Sequence, residues 1–361
     1  MTLPASVYHH TGLESSGGAT QVAHSIMKGL IKSDVETNLS FELGEGSSTA
    51  AILPEDLGRY LPTDAIAHIH CTSNWPGLLN SISPRQKLVI TLHDCELFTG
   101  GCPYPLDCAD LDSDCNPPCP RKFPDSDALR KSKHELIHKL GPTIVSPSRW
   151  LARLAKTHLF KPITIIPNGI PWPDALPKKR EARSQLGINP AARVVLFVAH
   201  GGASAAYKSG PVWKNIWQHL KALIPELLCF TVGGDTAEKE GDLITWPYVA
   251  RERLATLMAA ADVLLYPTMA DNHSLVVLEA MSQALPIVAY QVGGIPEQIS
   301  HNQTGLLVEA GDQPAFIKAA HDLIRAPSTC REYGQAAFFA GHKRFSAERM
   351  VSDYLKLYSK V

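Results

Sequence analysis

From Arg193 to Val308 the chain alternates short apolar runs with helix-length segments, and that alternation leaves few folds open. Arg193–Ala199, Leu227–Val232, Asp262–Tyr266, Ile287–Tyr290 and Gly305–Val308 are strand-sized, rich in branched residues and bounded by turn formers. Between and after them, Val212–Leu223, Arg251–Ala260, Ser274–Gln283 and Pro314–Arg325 carry helical spacing. Short continuous apolar strands separated by helices predict a parallel sheet covered on both faces. The first part is less regular but has the same ingredients. A strand at Ala5–His9 leads into a polar loop, Thr11–Gly18, and then a helix over Ala19–Lys32 with Val22, Ile26, Met27 and Leu30 at helical spacing. Further strands are expected at Ala65–His70, Lys87–Leu92 and Thr143–Ser146, with a basic helix at Ser126–Leu140 and a last helix at Ala347–Lys360. No repeat of 20–50 residues recurs, which argues against solenoids and propellers.

A length of 361 residues suggests two or three domains. Five prolines, Pro162, Pro167, Pro171, Pro173 and Pro177, interrupt regular structure and suit a linker. The expected division is residues 1–170 with a Cys-rich insertion at about 95–124, a linker at 171–190, a second domain at 191–345, and a terminal helix at 346–361. Two such halves would enclose a cleft, and open α/β sheets bind ligands beyond the carboxyl ends of their strands. Thirty-four Lys plus Arg against 35 Asp plus Glu argue against a dedicated nucleic-acid binder. No apolar run reaches the roughly 18 residues of a membrane span. The start has no basic segment followed by an apolar one, so a cytoplasmic protein without a secretory signal is expected.

The loop after the strand at Asp262–Tyr266 is the most informative stretch. It reads Asp271-Asn-His273-Ser274-Leu275-Val-Val-Leu-Glu279-Ala-Met281 and continues to Gly293-Gly294-Ile-Pro-Glu297. A helix start here would offer backbone N–H groups to a phosphate. Glu279, about two turns in, is placed to accept hydrogen bonds from ribose hydroxyls, and Asp271 to face a sugar. Taken alone, such a pair is more often a helix cap and a solvated glutamate. The full string, however, resembles the donor-site motif of family 4 retaining glycosyltransferases: an acidic residue, seven residues, Glu-Ala-Met, a Pro and branched residues, then Gly-Gly-x-x-Glu. Asp271 stands where Glu is commoner.

Other pieces follow in that family's order. Gly17-Gly18 resembles its Gly-rich loop, Val145-Ser-Pro-Ser148 its strand-and-Ser element, Pro167-Asn168-Gly169 the segment before its linker, and Val232-Gly-Gly-Asp235 its strand-end glycine pair. The resemblance implies an α/β protein of GT-B fold, with two Rossmann-like domains whose parallel sheets face across a cleft. The first domain would be the acceptor side, the second would hold the donor, and the helix at 346–361 would cross back to the first.

It also implies a retaining transfer from a nucleotide-diphosphate sugar, of UDP or GDP type, to a glycan or lipid-linked acceptor. The departing diphosphate needs fixed cations or N–H groups. Lys208 matches the family's loop Lys, while Gly202 stands where an Arg is usual. His200, Lys214 or helix N-termini are the candidates to replace that Arg. His93, ending the Lys87–Leu92 strand, resembles the family's His near sugar and acceptor, although a lone His is more often structural. The expected catalytic residues are therefore His93, Lys208 and Asp271, and the donor would be bound by Gly17, Gly18, Lys208, His273, Ser274, Leu275 and Glu279. No catalytic metal is expected, and no residue is assigned as general base.

Cys102, Cys108, Cys115 and Cys119 lie within 18 residues. Close thiols in a reducing compartment suggest a structural zinc, with disulfides or free thiols as alternatives. The run His93-Asp94-Cys95 through Thr99-Gly100-Gly101-Cys102 resembles a bacterial polysaccharide-assembly subgroup of the colanic-acid type. Basic residues at 121–140, among them Arg121, Lys122, Arg130, Lys131, Lys133 and Lys139, are either a solvated helix face or a peripheral contact with anionic lipid. Three other functions compete with the transferase reading. A sugar-nucleotide epimerase of the same fold should lack the Asp271–Glu279 string, and a dinucleotide-dependent oxidoreductase would need the full G-x-G-x-x-G spacing. The missing Arg leaves room for a non-catalytic sugar-nucleotide or glycan-binding protein.

Overall fold

The structure is a computed structural model and describes residues 4–46, 50–198, 212–234 and 236–361. It divides into two units. One comprises Met1–Ile170 with Ala347–Val361, the other Pro171–Ser346.

The first unit is built on β1 (Ser6–Leu13), β2 (Glu36–Leu43), β3 (Ile66–Ile69), β4 (Lys87–Thr91), β5 (Thr143–Ser146) and β6 (Ile163–Ile165). They form one sheet in the order β2-β1-β3-β4-β5-β6, with every pair parallel. Strand alternation gives the sheet two unlike faces. Ala67, Ile69, Leu88 and Ile90 face an apolar core shared with Leu78, Leu136 and Leu151 of the covering helices. His68 and His70 point to the opposite face. Part of that face is covered by the helix Ala347–Tyr358, whose Tyr358 and Tyr354 hydroxyls lie 2.7 Å from His68 Nδ1 and 2.8 Å from Thr91 Oγ1. The same helix seats Val351 against Gly29, where a Cβ would overlap the valine side chain.

The second unit is built on β7 (Arg193–Val198), β8 (Leu227–Gly234), β9 (Glu238–Glu240), β10 (Leu243–Pro247), β11 (Val263–Tyr266), β12 (Ile287–Tyr290) and β13 (Gly305–Val308). Their order is β13-β12-β11-β7-β8-β10-β9, parallel except for the short edge strand β9. Val195, Phe197, Val263 and Leu265 pack against Trp213, Leu220 and Phe316. Residues 171–190, expected as a linker, carry the helix Lys179–Gln185 and are anchored within this unit. Buried Arg183 donates to Asp262 Oδ2 at 3.0 Å and to the Ala260 carbonyl at 3.0 Å.

Several elements have weak sequence signals. β2 is a mostly polar edge strand, and the helix Pro327–Phe345 lacks a single apolar stripe. Its Gly334 and Gly341 are close-approach positions. A Cβ would collide with the Ala284 carbonyl at the first and with the Trp172 ring at the second. No helix among the described residues is long and apolar enough to cross a membrane.

Candidate functional site

In the second unit, the loop from β11 into the helix Leu275–Ser282 is held by side chains on three sides. Tyr266, the buried last residue of β11, donates its hydroxyl to Asp271 Oδ2 at 2.7 Å and accepts from Ser274 Oγ at 3.0 Å. Ser274 is the N-cap: its Oγ accepts the Val277 N–H at 3.3 Å, and its carbonyl accepts the Leu278 N–H at 3.3 Å. Gln298 clamps the Ser274 backbone, accepting its N–H at 3.0 Å and donating to its carbonyl at 2.9 Å. The glycine pair closes the loop. Gly294 N–H donates to the Asp271 carbonyl at 3.1 Å, and Gly293 has φ 54°. A Cβ on Gly293 would stand 2.0 Å from that same carbonyl oxygen, so only glycine fits.

This arrangement changes two of the expected roles. Ser274 N–H is bound by Gln298 and is not offered to a ligand. The His273 ring is buried edge-on to Phe345, with ring centroids 5.2 Å apart, and lies 3.4 Å from Gln298 Nε2. The N–H groups of Leu275 and Val276 have no hydrogen-bond partner among the described residues, so the positive end of the helix rests on them. Glu279 is half-buried on this helix, 3.7 Å from Arg251 Nη2. Burial raises its carboxyl pKa above the usual range, and Arg251 opposes the shift. Lys208, with His200 and Gly202, lies outside the described residues.

In the first unit, a row of imidazoles, buried at His9 and His70, ends at half-buried His93. His9 Nδ1 lies 3.1 Å from His70 Nε2, and His70 Nδ1 lies 3.1 Å from His93 Nε2. His68 sits beside them with both nitrogens bonded, to Thr91 Oγ1 at 2.8 Å and to the Tyr358 hydroxyl. Burial pulls the His9 pKa down to about 3 and that of His93 to about 4, and holds His68 and His70 well below the ordinary value. All four are therefore neutral near pH 7. His9, His68 and His70 are close enough to share an ion. Both nitrogens of His68 and of His70 already hold hydrogen bonds, so the trio is built as a hydrogen-bond network.

Beyond His93, burial also raises the pKa values of Asp94 and Glu96, and the Asp94 charge adds to the effect on Glu96. Buried Lys133 offsets part of both shifts and donates to the Glu96 carbonyl. Gly17 has φ 85° and is the N-cap of the helix Gly18–Ile31. The loop before it is occupied by a carboxylate of the chain itself: Glu45 Oε2 accepts the N–H groups of Ser15 at 2.6 Å and Ser16 at 2.8 Å.

Cys102, Cys108, Cys115 and Cys119 all border one cavity of about 20 Å³, and all four are free thiols. They are not drawn to a common point as metal ligands. Cys102 Sγ donates to the Tyr104 carbonyl at 3.0 Å, and Cys115 Sγ accepts from Arg130 at 3.4 Å. The basic face expected over 121–140 is also reduced. Arg130 and Lys133 are buried, Arg130 donating to the Leu111 carbonyl at 2.6 Å and pairing with His158 Nδ1 at 3.1 Å. Lys131 and Lys139 remain exposed.

Tyr266, Gln298, Arg251, His9 and His70 were not singled out from the sequence. Signals for three of them exist. Tyr266 ends the strand before the motif, Gln298 directly follows Gly293-Gly294-Ile-Pro-Glu297, and His70 closes a strand beside the one that His93 follows.

Residues 194–326 match the family model described as glycosyl transferases group 1. The N-acetyl-alpha-D-glucosaminyl L-malate synthase of Bacillus anthracis is 34% identical over 111 residues, 31% of this chain and 29% of that protein. The chain spans less than half the length of the first curated relatives it matches. Among solved structures, sucrose-phosphate synthase from Thermosynechococcus elongatus has a TM-score of 0.74 at 17% identity, covering 98% of both chains. Anabaena HepE in complex with UDP has a TM-score of 0.70 at 15% identity, covering 99% of this chain and 100% of its own. These likenesses show a GT-B fold of two Rossmann-like α/β domains, and residues 194–326 are similar to the glycosyl transferases group 1 family.

Proposed function

We propose that the chain is a retaining glycosyltransferase that moves a sugar from a nucleotide-diphosphate sugar to a glycan or lipid-linked acceptor, in the assembly of bacterial surface polysaccharide or glycoconjugate. The observation that carries this reading is the start of the helix Leu275–Ser282. Tyr266, Ser274, Gln298 and the glycine pair hold Asp271 beside two helix N–H groups, with Glu279 two turns further on.

In this reading the Leu275 and Val276 N–H groups take a phosphate oxygen, and Glu279 accepts from ribose hydroxyls, with Arg251 offsetting part of the cost of burying its charge. Asp271 contacts the sugar, and Lys208 adds positive charge at the diphosphate. The bond from the anomeric carbon to the phosphate oxygen breaks, and a bond to the acceptor oxygen forms on the same face. The departing phosphate takes the acceptor's proton, so no general base is assigned. His93, Gly17 and Gly18 act from the first unit, His93 toward the acceptor. The transfer itself needs no metal. The neighbour solved with UDP makes UDP the first nucleotide to try.

The test is a thermal-shift panel with UDP, GDP, ADP, CMP and NAD, repeated in EDTA and followed by donor turnover. A ligand at a hundred times its Kd adds about 2.7 kcal/mol. One nucleoside diphosphate should stabilise the protein, and the shift should survive chelation. A shift with NAD alone, or turnover that requires added Mg²⁺ or Mn²⁺, would overturn the reading.

A further inference from the structure

We infer that a cavity at the amino-terminal end of the second unit's sheet is a binding site for a small organic phosphate of sugar-phosphate size, separate from the donor loop. Every residue involved lies in the second unit and outside that loop, so the site stands whether or not the transferase reading holds.

The strand order locates the cavity. Arg193 opens β7, Asp262 immediately precedes β11 and Pro286 immediately precedes β12, and all three residues line the space. The three strands are parallel neighbours, so their starts lie at one end of the sheet. The Asp271–Glu279 loop follows β11 and lies at the other end, about 13 Å along the strand from the rise per residue. The cavity measures about 420 Å³, inside the range of roughly 300–1,000 Å³ for small-ligand sites.

Its charges do not balance. Lys179, Arg183, Arg193 and Arg331 line it against one carboxylate, Asp262. That carboxylate is already spent: Oδ1 takes Lys179, and Oδ2 takes Arg183 and the Val194 N–H. Lys179 and Arg183 stand four residues apart on one helix, and Arg183 also donates to the Ala260 and Pro190 carbonyls. Arg193 and Arg331 are left over. Among the described residues neither guanidinium has a hydrogen bond or an ion pair. The charges also converge, because those of Asp262, Lys179 and Arg193 all act on the thiol of buried Cys330, which borders the same space. The first turn of the helix Pro327–Phe345 borders it too and adds the positive end of a helix.

Three positive charges in excess, two of them on guanidinium forks without a partner, call for a compact dianion. A phosphate monoester carries about −1.5 to −2 charges near neutral pH and offers three acceptor oxygens. Guanidinium groups match such oxygens with paired N–H donors. The rest of the lining favours an ester over free phosphate. Leu176, Pro177, Pro286 and Ile324 supply apolar wall, and the Gln335 amide can hydrogen-bond a hydroxyl.

The test is isothermal titration calorimetry of the full chain with ribose 5-phosphate, inorganic phosphate and ribose. Ribose 5-phosphate should bind more tightly than inorganic phosphate, and ribose should not bind. Arg193→Gln and Arg331→Gln should each weaken ribose 5-phosphate by about tenfold or more, the loss of one charged hydrogen-bonding partner. Lys208→Ala should leave that binding unchanged. Without ligand, both arginine variants should melt no lower than the parent, because each removes a cation that has no partner; if one fails to fold, the other carries the comparison. No binding of either phosphate overturns the proposal. So does binding that both arginine variants keep, and its loss in Lys208→Ala would then place the anion at the donor loop. Equal affinity for the two phosphates would overturn the organic ligand and leave a site for free phosphate. Nucleotide binding at the donor loop should persist in both arginine variants, so the two sites fail separately.

Discussion

Two glycines of the second unit share a backbone conformation and differ in what surrounds them, which makes Gly293→Ala a quantitative test of the donor loop. Gly293 has φ 54° and Gly241 has φ 59°, both in the left-handed region. Nothing lies within 4 Å of a Cβ placed on Gly241. Gly241→Ala should therefore show only the left-handed penalty, about 1–2 kcal/mol. At Gly293 the same penalty applies, and the new methyl would stand 2.0 Å from the Asp271 carbonyl oxygen. To clear it, that carbonyl must move by about an ångström, because Cβ contacts under 3.0 Å are essentially never seen. The move breaks the 3.1 Å hydrogen bond from Gly294 N–H, worth about 1 kcal/mol. Displacing the Asp271 loop from Tyr266 adds at least about as much again, so Gly293→Ala should be less stable than Gly241→Ala by about 2 kcal/mol. At about 2–4 °C per kcal/mol for a unit of this size, the two variants should melt about 4–8 °C apart. Differential scanning calorimetry of both proteins, with binding of the stabilising nucleotide measured alongside, supplies the comparison. Variants melting together, or a Gly293→Ala protein that binds nucleotide as tightly as the parent, would refute the steric account of this loop.

Asp262→Ala should destabilise the second unit by about 3–5 kcal/mol, because it leaves the buried Arg183 guanidinium uncompensated and orphans the Val194 N–H; urea unfolding measures it, and a loss under about 1 kcal/mol would show that Arg183 finds another partner. The Glu45 carboxyl is held down at about 2 by Ser15 and Ser16, so its bonds to the loop are present above the ordinary carboxylate range and are lost as pH falls through about 2. Carboxyl ¹³C titration should give a midpoint well below that of an unbonded Glu, and a midpoint near the ordinary value would mean that the loop does not hold it. Because the four cysteines are not drawn to a common point, protein purified without chelator should contain no stoichiometric zinc by elemental analysis; one zinc per chain, lost in Cys108→Ser or Cys119→Ser, would show that the cluster closes around a metal.

The second unit was more legible than the first because its signals are local. β11, β12, β13 and the helix Arg251–Ala260 each carry their own apolar pattern, and the Asp271–Glu279 string is contiguous. Contacts made across the sequence were not legible. Gln298 reaches back 24 residues to Ser274, and no periodicity announces it. Ser274 was expected to offer its N–H to a phosphate because a helix start leaves such groups open, but the amide of Gln298 was already there. The basic helix shows the same limit: Lys133 and Arg130 look like surface cations in the sequence, and tertiary partners draw both inward. In the first unit, six of the eight residues of β1 are polar, small or aromatic rather than branched aliphatic, so its histidines read as a strand end instead of the middle of a buried row.

The helix Ala347–Tyr358 belongs to the unit whose first strand is Ser6–Leu13, while residues 171–346 form a unit of their own. During synthesis the first unit is thus the one that finishes last. Its histidine face stays uncovered, and the partners of His68 and Thr91 on Tyr358 and Tyr354 are missing, until residues 347–361 have left the ribosome. The second unit has all its residues by then. Biogenesis of the chain therefore runs against the usual order of amino-terminal domain first, and a stalled or clipped product lacking that helix would pair a complete second unit with an unfinished first one.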